Sequence, residues 1–362
     1  MIWLIEGIIN IKDIPFGIWY QVFLALYFFT TSLLIAYDQS SSLHSVRQYI
    51  IYCIIMYAIC LITNHKKSYA WLLKIINIAV MICCVHLVGW GHHYTTNRIV
   101  LSTNSNPNLL GTILNLGLFV VLFQTKMSIK SLTIYFPQIC LLLYNIIMTG
   151  SRKSLIVSIA LIIMWSFSTS IYIKNTGNKK QKFAVLILLL CAICALWYFY
   201  NTFVIHTAVI DRMQTMGNEE SNGVRIEMYK EALEIFYDKP LLGGGFDQYK
   251  FLSGRGGYSH STYAEAIADF GFFGFVLYFV PYVLVVYHAY KLAFFENRSF
   301  CSLFVFGFCI VELFLGTVQI WFAEISHFFS WTLIFLIVQG IENESGIGSK
   351  LKDKRYRKYV KY

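Results

Sequence analysis

The sequence contains few charged side chains and has no cysteine in a polar setting. Charged residues make up 13% of the 362 residues and hydrophobic residues 57%, whereas soluble domains carry about 25% charged residues. This shortage excludes a soluble globular protein. All nine cysteines lie in apolar stretches, where free cysteine packs as a small hydrophobe. The sequence therefore indicates neither a disulfide framework nor a redox pair.

Several other signatures are missing. The segment "TGSRKS" lacks the spacing of a nucleotide-binding phosphate loop. His92 and His93 have no Cys, Asp or Glu at metal-ligand spacing. The N-terminus has neither a basic region nor a small-residue cleavage site. We therefore expect no metal, no cofactor and no cleaved signal peptide.

Long apolar runs occupy most of the chain. Each is long enough to cross the ~30 Å hydrocarbon layer as a helix, and helices satisfy their own backbone groups in lipid. The sequence therefore predicts an all-α polytopic membrane protein with about ten transmembrane helices. These lie near residues 17–37, 46–63, 69–89, 108–125, 131–148, 154–173, 183–203, 263–290, 299–317 and 321–340.

The net charge of +10 is unevenly distributed. If the N-terminus is cytoplasmic, most basic residues fall on the short inner segments, as the positive-inside rule requires. The basic tail, residues 341–362, then lies in the cytoplasm near anionic lipid headgroups. We therefore expect membrane lipids rather than nucleic acid as partners, with both termini cytoplasmic.

One connection is long. The predicted organisation is helices 1–7 in residues 1–203, an extracytoplasmic loop in 204–262, helices 8–10 in 263–340, and the tail. Within the loop, "SNGVRIEMYKEALEIFYDKP" has capping residues at its start and proline at its end, and its apolar and charged residues fall on separate faces. This pattern predicts an amphipathic helix ending before Pro240, followed by the glycine-rich turn "PLLGGGF".

Two outer cationic positions favour an anion. Arg152 and Lys153 open the sixth helix, where Ser151 can cap the helix and the N-terminal amides attract phosphate. Arg225 lies in the first turn of the amphipathic helix, and its guanidinium can bind a phosphate in a forked geometry. The alternatives are cations snorkelling to the interface at Arg152 and Lys153, and a solvated or ion-paired arginine at Arg225.

His260 is the third candidate, in "GRGGYSHSTY". A histidine can accept a hydroxyl proton near neutral pH, although an isolated loop histidine is usually a surface residue. Neighbouring hydroxyl and aromatic side chains offer a surface for a sugar. Separately, two acidic residues, Glu312 and Glu324, lie in the last two predicted spans, where burying a charge in the membrane is costly. Further candidates near His260 are Tyr258, Ser259, Ser261, Tyr263, Phe246 and Glu324. Arg212 and Arg255 are alternative candidates for the second phosphate ligand.

The order of these segments resembles the bacterial O-antigen ligase and O-antigen polymerase superfamily. The chain carries "NPNLLG", "TGSRKS", "GVRIEMYKEALEIFYDKPLLGGGF" and "SHSTYAEAIADFGFFGFVLY" in series over roughly residues 104–290. "SHS" stands where ligases more often have "AHN", and Tyr229 stands where tryptophan is common. The first departure favours a polymerase.

The resemblance implies a metal-independent glycosyltransferase at the outer face of the bacterial cytoplasmic membrane, which uses a polyprenyl (undecaprenyl) diphosphate-linked glycan. Matching motif to motif, Arg152 and Arg225 hold the diphosphate and His260 is the base. Such an enzyme polymerises O-antigen, capsule or exopolysaccharide repeat units and works beside a flippase and a chain-length regulator. Direct attack by the acceptor in one step would invert the anomeric centre. The first alternative is a ligase that transfers the glycan to a lipid core or another acceptor. The second is a transporter or flippase, which the lack of an internal repeat disfavours. The third is a membrane scaffold without catalysis, which leaves the arginines and the histidine unexplained.

Overall fold

The computed structural model describes residues 14–65, 69–89, 93–95, 98–100, 106–125, 129–176 and 220–344. Its α-helices are α1 (Phe16–Leu34), α2 (Gln39–His65), α3 (Tyr69–Gly89), α4 (Pro107–Gln124), α5 (Ile129–Met148), α6 (Arg152–Thr176), α7 (Glu220–Asp238), α8 (Tyr249–Leu252), α9 (Thr262–Lys291), α10 (Phe300–Leu315) and α11 (Ile325–Glu344).

The structure confirms an all-α polytopic membrane protein. Seven of these helices are long and apolar enough to span a membrane, and α10 and part of α5 are shorter apolar helices. Nine of the ten predicted spans coincide with helices, most of them within a few residues at each end. The predicted span 183–203 and the tail from residue 345 lie outside the described residues. A small antiparallel hairpin, β1 (His93–Thr95) and β2 (Arg98–Val100), follows α3.

Two compact units divide the chain. The first comprises Met1–Tyr69, Glu220–Asn297 and Glu312–Tyr362. The second comprises Ala70–Glu219 and Arg298–Val311. Arg225 and His260 therefore belong to the first unit, and Arg152 and Lys153 belong to the second.

Buried aromatic rings form the core of the first unit. Phe28 lies at its centre, with its ring centroid 4.6 Å from Phe246 and 4.5 Å from Phe270. Phe246 also packs 5.3 Å from Phe322 and is only 1% exposed. The expectation that Phe246 stacks on a sugar is therefore wrong, because packing against these rings leaves it no free face. Phe246, which follows the glycine-rich turn, therefore anchors that turn in the aromatic core.

The helix α9 is interrupted at Gly271, which has φ of 61° and ψ of −167°, and not at Pro281, where proline would be expected to kink it. The turn "PLLGGGF" supplies partners for the backbone groups freed by this break. Gly244 N and Gly245 N donate to the carbonyls of Ala268 and Asp269, each at 2.9 Å. In return, Phe272 N donates to Pro240 O at 2.8 Å. The turn and the interrupted helix therefore provide hydrogen-bond partners for each other's main-chain N–H and C=O groups. Lipid could not provide such partners.

The amphipathic helix α7 packs on this assembly through its apolar face. Ala232, Ile235, Tyr249 and Ala268 form a buried cluster in which α7, α8 and α9 meet. Burial of this face fixes the helix that carries Arg225. The helix predicted before Pro240 is thus confirmed in type and at its end, but it already includes Ser221 and Asn222, which were predicted to cap it.

Candidate functional site

The loop before α9 holds His260 in a left-handed backbone conformation, with φ of 61°. Such a conformation is uncommon for a residue other than glycine and costs about 1–3 kcal/mol, so it persists only where the surroundings enforce it. Ser259 and Ser261 flank it and are both buried. The Ser259 hydroxyl donates to Ser261 O at 3.0 Å, and the Ser261 hydroxyl accepts from Ala264 N and caps α9. The hydroxyl groups of both serines therefore stabilise the conformation of the loop.

Glu265 also fixes this loop from within α9. Its carboxylate is 1% exposed and accepts from Ser259 N at 2.6 Å. The sequence offered only a weak signal for this role, an acidic residue in the first turn of a helix. The contact explains how a short loop can hold a strained histidine.

The segment between α10 and α11 holds the other side of the loop. Thr262 N donates to Gly316 O at 2.8 Å, and the Thr262 hydroxyl donates to Gln319 O at 2.6 Å. The Tyr263 hydroxyl donates to Leu313 O at 2.7 Å, and its ring stacks on Phe279. Tyr263 therefore braces the start of α9.

Tyr258 is the aromatic neighbour of His260. The two rings meet edge to face, with centroids 4.5 Å apart, and Tyr258 is 43% exposed. Partial burial raises the pKa of Tyr258, and the negative charges of Glu324 and Glu265 raise it further. Glu265 therefore binds the histidine loop directly, the charge of Glu324 also acts on Tyr258, and the Tyr258 ring is partly exposed.

Arg225 lies in α7, one turn before Tyr229. It is partly exposed and makes no hydrogen bond or ion pair within the described part of the chain. Tyr229 donates its hydroxyl to Thr317 O at 3.0 Å. This bond fixes α7 to the segment that also holds the His260 loop.

Arg255 is committed to an ion pair. Its guanidinium donates two hydrogen bonds to Glu231 at 2.7 Å and one to Glu227 at 3.0 Å. The hydrogen bonds from Arg255 lower the pKa of Glu231. Arg255 therefore joins the tip of the loop to α7, and it is a weaker candidate for a phosphate ligand than Arg225. Arg212, the remaining candidate in this stretch, lies outside the described residues.

A buried carboxylate supports the turn between α7 and α9. Asp269 is 1% exposed, and one of its oxygens accepts from Tyr249 N at 2.7 Å and from Gln248 N at 3.1 Å. These bonds hold the single helical turn α8 next to the break in α9. Sequence reasoning missed this residue because "ADFGFF" reads as part of one apolar helix.

In the second unit, Arg98 joins two of the sequence motifs. From β2, its guanidinium donates to Thr149 O at 2.7 Å and to Asn108 Oδ1 at 2.9 Å. Asn108 belongs to "NPNLLG" and Thr149 to "TGSRKS". Gly150, with φ of 61°, leaves room for the Arg98 side chain, since a Cβ there would lie 2.9 Å from Arg98 Cγ.

The start of α6 carries Arg152 and Lys153, as predicted. The Ser151 hydroxyl accepts from Ser154 N at 3.4 Å, a long capping bond, and from the Ser154 hydroxyl at 2.9 Å. Asn115 Nδ2 donates to Ser154 O at 2.9 Å and joins α4 to this turn. Arg152 and Lys153 therefore extend from a helix N-terminus that neighbouring side chains hold in place.

Comparison with known families bears on this arrangement of motifs. The family model described as O-antigen ligase matches residues 139–279. The resemblance to the O-antigen ligase and polymerase superfamily is confirmed over these residues. The match covers less than half of the 362 residues. No curated protein matches the chain.

The O-antigen ligase match supports a glycan-transfer enzyme in the membrane. It extends across Arg152, Lys153, Arg225, Arg255 and His260 and ends before Glu324. Lipid-linked glycans are the substrates that this family implies, and membrane lipids are its surroundings. Within the described ranges, no group of three or more His, Cys, Asp or Glu side chains is arranged to hold a metal ion.

Proposed function

We propose that this protein is a polysaccharide polymerase that transfers a glycan from polyprenyl diphosphate to a sugar hydroxyl at the outer face of the bacterial cytoplasmic membrane. The observation that carries the proposal is the left-handed His260, held by Ser259, Glu265 and Thr262 next to a helix that presents Arg225. Strained conformations of this kind cluster at active sites.

The roles follow from the chemistry of the donor. A diphosphate leaves as an anion, so the enzyme must stabilise the developing charge and deprotonate the attacking hydroxyl. Arg225 supplies a forked cation for the diphosphate. Phosphate binding by Arg152 and Lys153 stays a prediction from their position at a helix N-terminus. His260 accepts the hydroxyl proton, a contribution of typically ~10²–10⁴-fold. Direct attack inverts the anomeric centre.

A ligase is the second candidate, and the description of the matched family favours it. The two reactions share the donor and differ in the acceptor. A polymerase extends a second lipid-linked repeat unit, whereas a ligase transfers the glycan once to a lipid core or another acceptor. The serine after His260 favours the polymerase.

Incubation of the purified protein with a lipid-diphosphate repeat unit separates the candidates. With the repeat unit alone, a polymerase gives a ladder of products on a gel, each one repeat longer than the last. A ligase gives product only when a lipid-core acceptor is added, and that product contains a single transferred glycan. If neither mixture consumes the donor, the proposed function is wrong.

A further inference from the structure

Four polar side chains form a continuous hydrogen-bonded chain in the first unit. His327 on α11 is fully buried, with Nδ1 2.9 Å from Glu312 Oε2 and Nε2 3.1 Å from Gln319 Oε1. Gln319 Nε2 donates to Glu324 Oε2 at 3.1 Å. Glu312 is 2% exposed, whereas the Glu324 side chain is 22% exposed. We name these residues the Glu312–Glu324 chain, and it leads from a buried carboxylate to a solvent-accessible one.

The hydrogen bonds of this chain fix the order of its members. The two ring nitrogens of His327 lie between Glu312 and the amide oxygen of Gln319, and the amide nitrogen of Gln319 donates to Glu324 Oε2. Gln319 therefore orients the carboxyl group of Glu324.

Gln319 joins the accessible end of the chain to the histidine loop. The charge of Glu324 reaches Tyr258, whose ring lies 4.5 Å from the ring of His260. Gln319 connects the two features directly, since its carbonyl accepts from the Thr262 hydroxyl at 2.6 Å while its side chain lies between His327 and Glu324. The same residue thus holds the start of α9 and orients the carboxylate.

We propose that Glu324 is the carboxylate partner of His260, oriented by Gln319, His327 and Glu312. The proposal rests on the proposed function. When the acceptor hydroxyl attacks, a bond forms from its oxygen to the anomeric carbon. The bond from that carbon to the diphosphate oxygen breaks, and its electron pair leaves with the diphosphate. The hydroxyl proton passes to His260, and the negative charge of Glu324 stabilises the resulting imidazolium.

The chain is too costly to serve as simple packing. Burial of an ionised group without a partner is strongly unfavourable, and apolar residues of similar size often replace buried ion pairs without loss of stability. Glu324 is a positioning residue in this proposal, because it acts through His260 and does not touch the reacting atoms. All four residues lie outside the matched residues 139–279.

The pH dependence of transfer distinguishes this role from a structural one. A nearby negative charge favours the imidazolium form of a histidine. Its removal lets His260 lose its proton more readily, so the acidic limb of the pH–rate profile moves to lower pH, while turnover falls because the developing cation is less stabilised. Other titratable groups face this region and remain present in the variants: Tyr52, Tyr258, Glu265, Glu312 and His327.

The test is the pH–rate profile of lipid-diphosphate consumption by purified wild type, Glu324→Gln and Glu324→Asp. Glu324→Gln is expected to lower turnover about tenfold and to move the acidic limb down by about one pH unit. Glu324→Asp keeps the charge and is expected to restore the limb. His327→Gln is expected to move the limb in the same direction by less, because Glu324 remains but loses its orientation.

Glu342→Gln is the matched control, because Glu342 lies on the same helix as His327 but at its far end, paired with His288 at 2.6 Å. This variant is expected to behave as wild type. If the acidic limb of the Glu324→Gln pH–rate profile stays at the wild-type pH, Glu324 is not the partner of His260, whether or not turnover falls. An inactive wild type would instead overturn the proposed function, and the partnership with it.

Discussion

The backbone of His260 lies in a region that favours glycine, asparagine, aspartate and histidine. The left-handed conformation directs the imidazole away from the path of a regular helix start and toward Tyr258. Ser259, Ser261 and Glu265 each make a bond that maintains it. An ordinary surface histidine would not require these hydrogen bonds to hold its backbone conformation.

Replacement of His260 by asparagine separates the side chain from the backbone conformation. Asparagine tolerates the left-handed region, so His260→Asn is expected to fold as wild type while turnover falls by about 10²–10⁴-fold. His260→Gly relieves the strain and is expected to be equally inactive and at least as stable. The measurements are donor turnover and thermal unfolding in detergent. Full activity of the folded His260→Asn protein would remove His260 from the mechanism.

At the scale of elements, the contact between the turn "PLLGGGF" and the break in α9 requires two glycines. Gly243 and Gly271 both have positive φ, and a Cβ on Gly271 would lie 2.5 Å from Gly243 N and 2.6 Å from Leu241 C. These are main-chain atoms that cannot move aside as a flexible side chain can. The close approach therefore fixes the position of α7 and α8 relative to α9.

Gly271→Ala is accordingly expected to lower the unfolding temperature and to reduce activity. A φ of 61° with ψ of −167° is a conformation that essentially only glycine adopts, and it costs an alanine about 1–3 kcal/mol. The main-chain clash adds to this cost. Gly254→Ala is the matched control, since Gly254 has φ of 70° but a methyl group there would meet no atom within 4 Å. Equal unfolding temperatures for the two variants would show that the close approach contributes nothing.

The ion pair between the loop tip and α7 responds to acid. Arg255 lowers the pKa of Glu231 in the folded protein, so the pair contributes its full stability above the unfolded pKa of about 4.5 and loses it as the pH falls through the lower folded value. Acidification is expected to speed hydrogen exchange of the amides in residues 253–258. Glu231→Gln is expected to show fast exchange already at pH 7 and little further change on acidification. Identical exchange in wild type and variant at pH 7 would contradict this role.

At the scale of the whole molecule, the lengths of the apolar segments and most helix boundaries could be predicted from the sequence. Residues 107–124 and 262–291 begin at capping residues, Asn106 and Ser261, whose side chains accept from the first-turn amides. The amphipathic helix α7 followed from its separate apolar and charged faces and from the proline after its end. These features are local, and local chemistry determines them.

The contacts between distant segments could not be read in this way. Glu312 and His327 are 15 positions apart, and Arg98 reaches Thr149 over 51 positions. The sequence placed Glu312 and Glu324 in apolar surroundings, which marked them as unusual, but nothing local indicated that His327 and Gln319 would join them. The break at Gly271 also depends on a partner turn that lies almost thirty residues earlier.

The central claim is that Arg225 binds the diphosphate of a lipid-linked glycan donor, and release of polyprenyl diphosphate by the purified protein tests it most directly. The account predicts release by wild type, a strongly raised KM for donor in Arg225→Ala, partial recovery in Arg225→Lys, and wild-type behaviour in Lys230→Ala, an exposed cation on the same helix. Unchanged donor KM and turnover in Arg225→Ala, with wild type active, would contradict it.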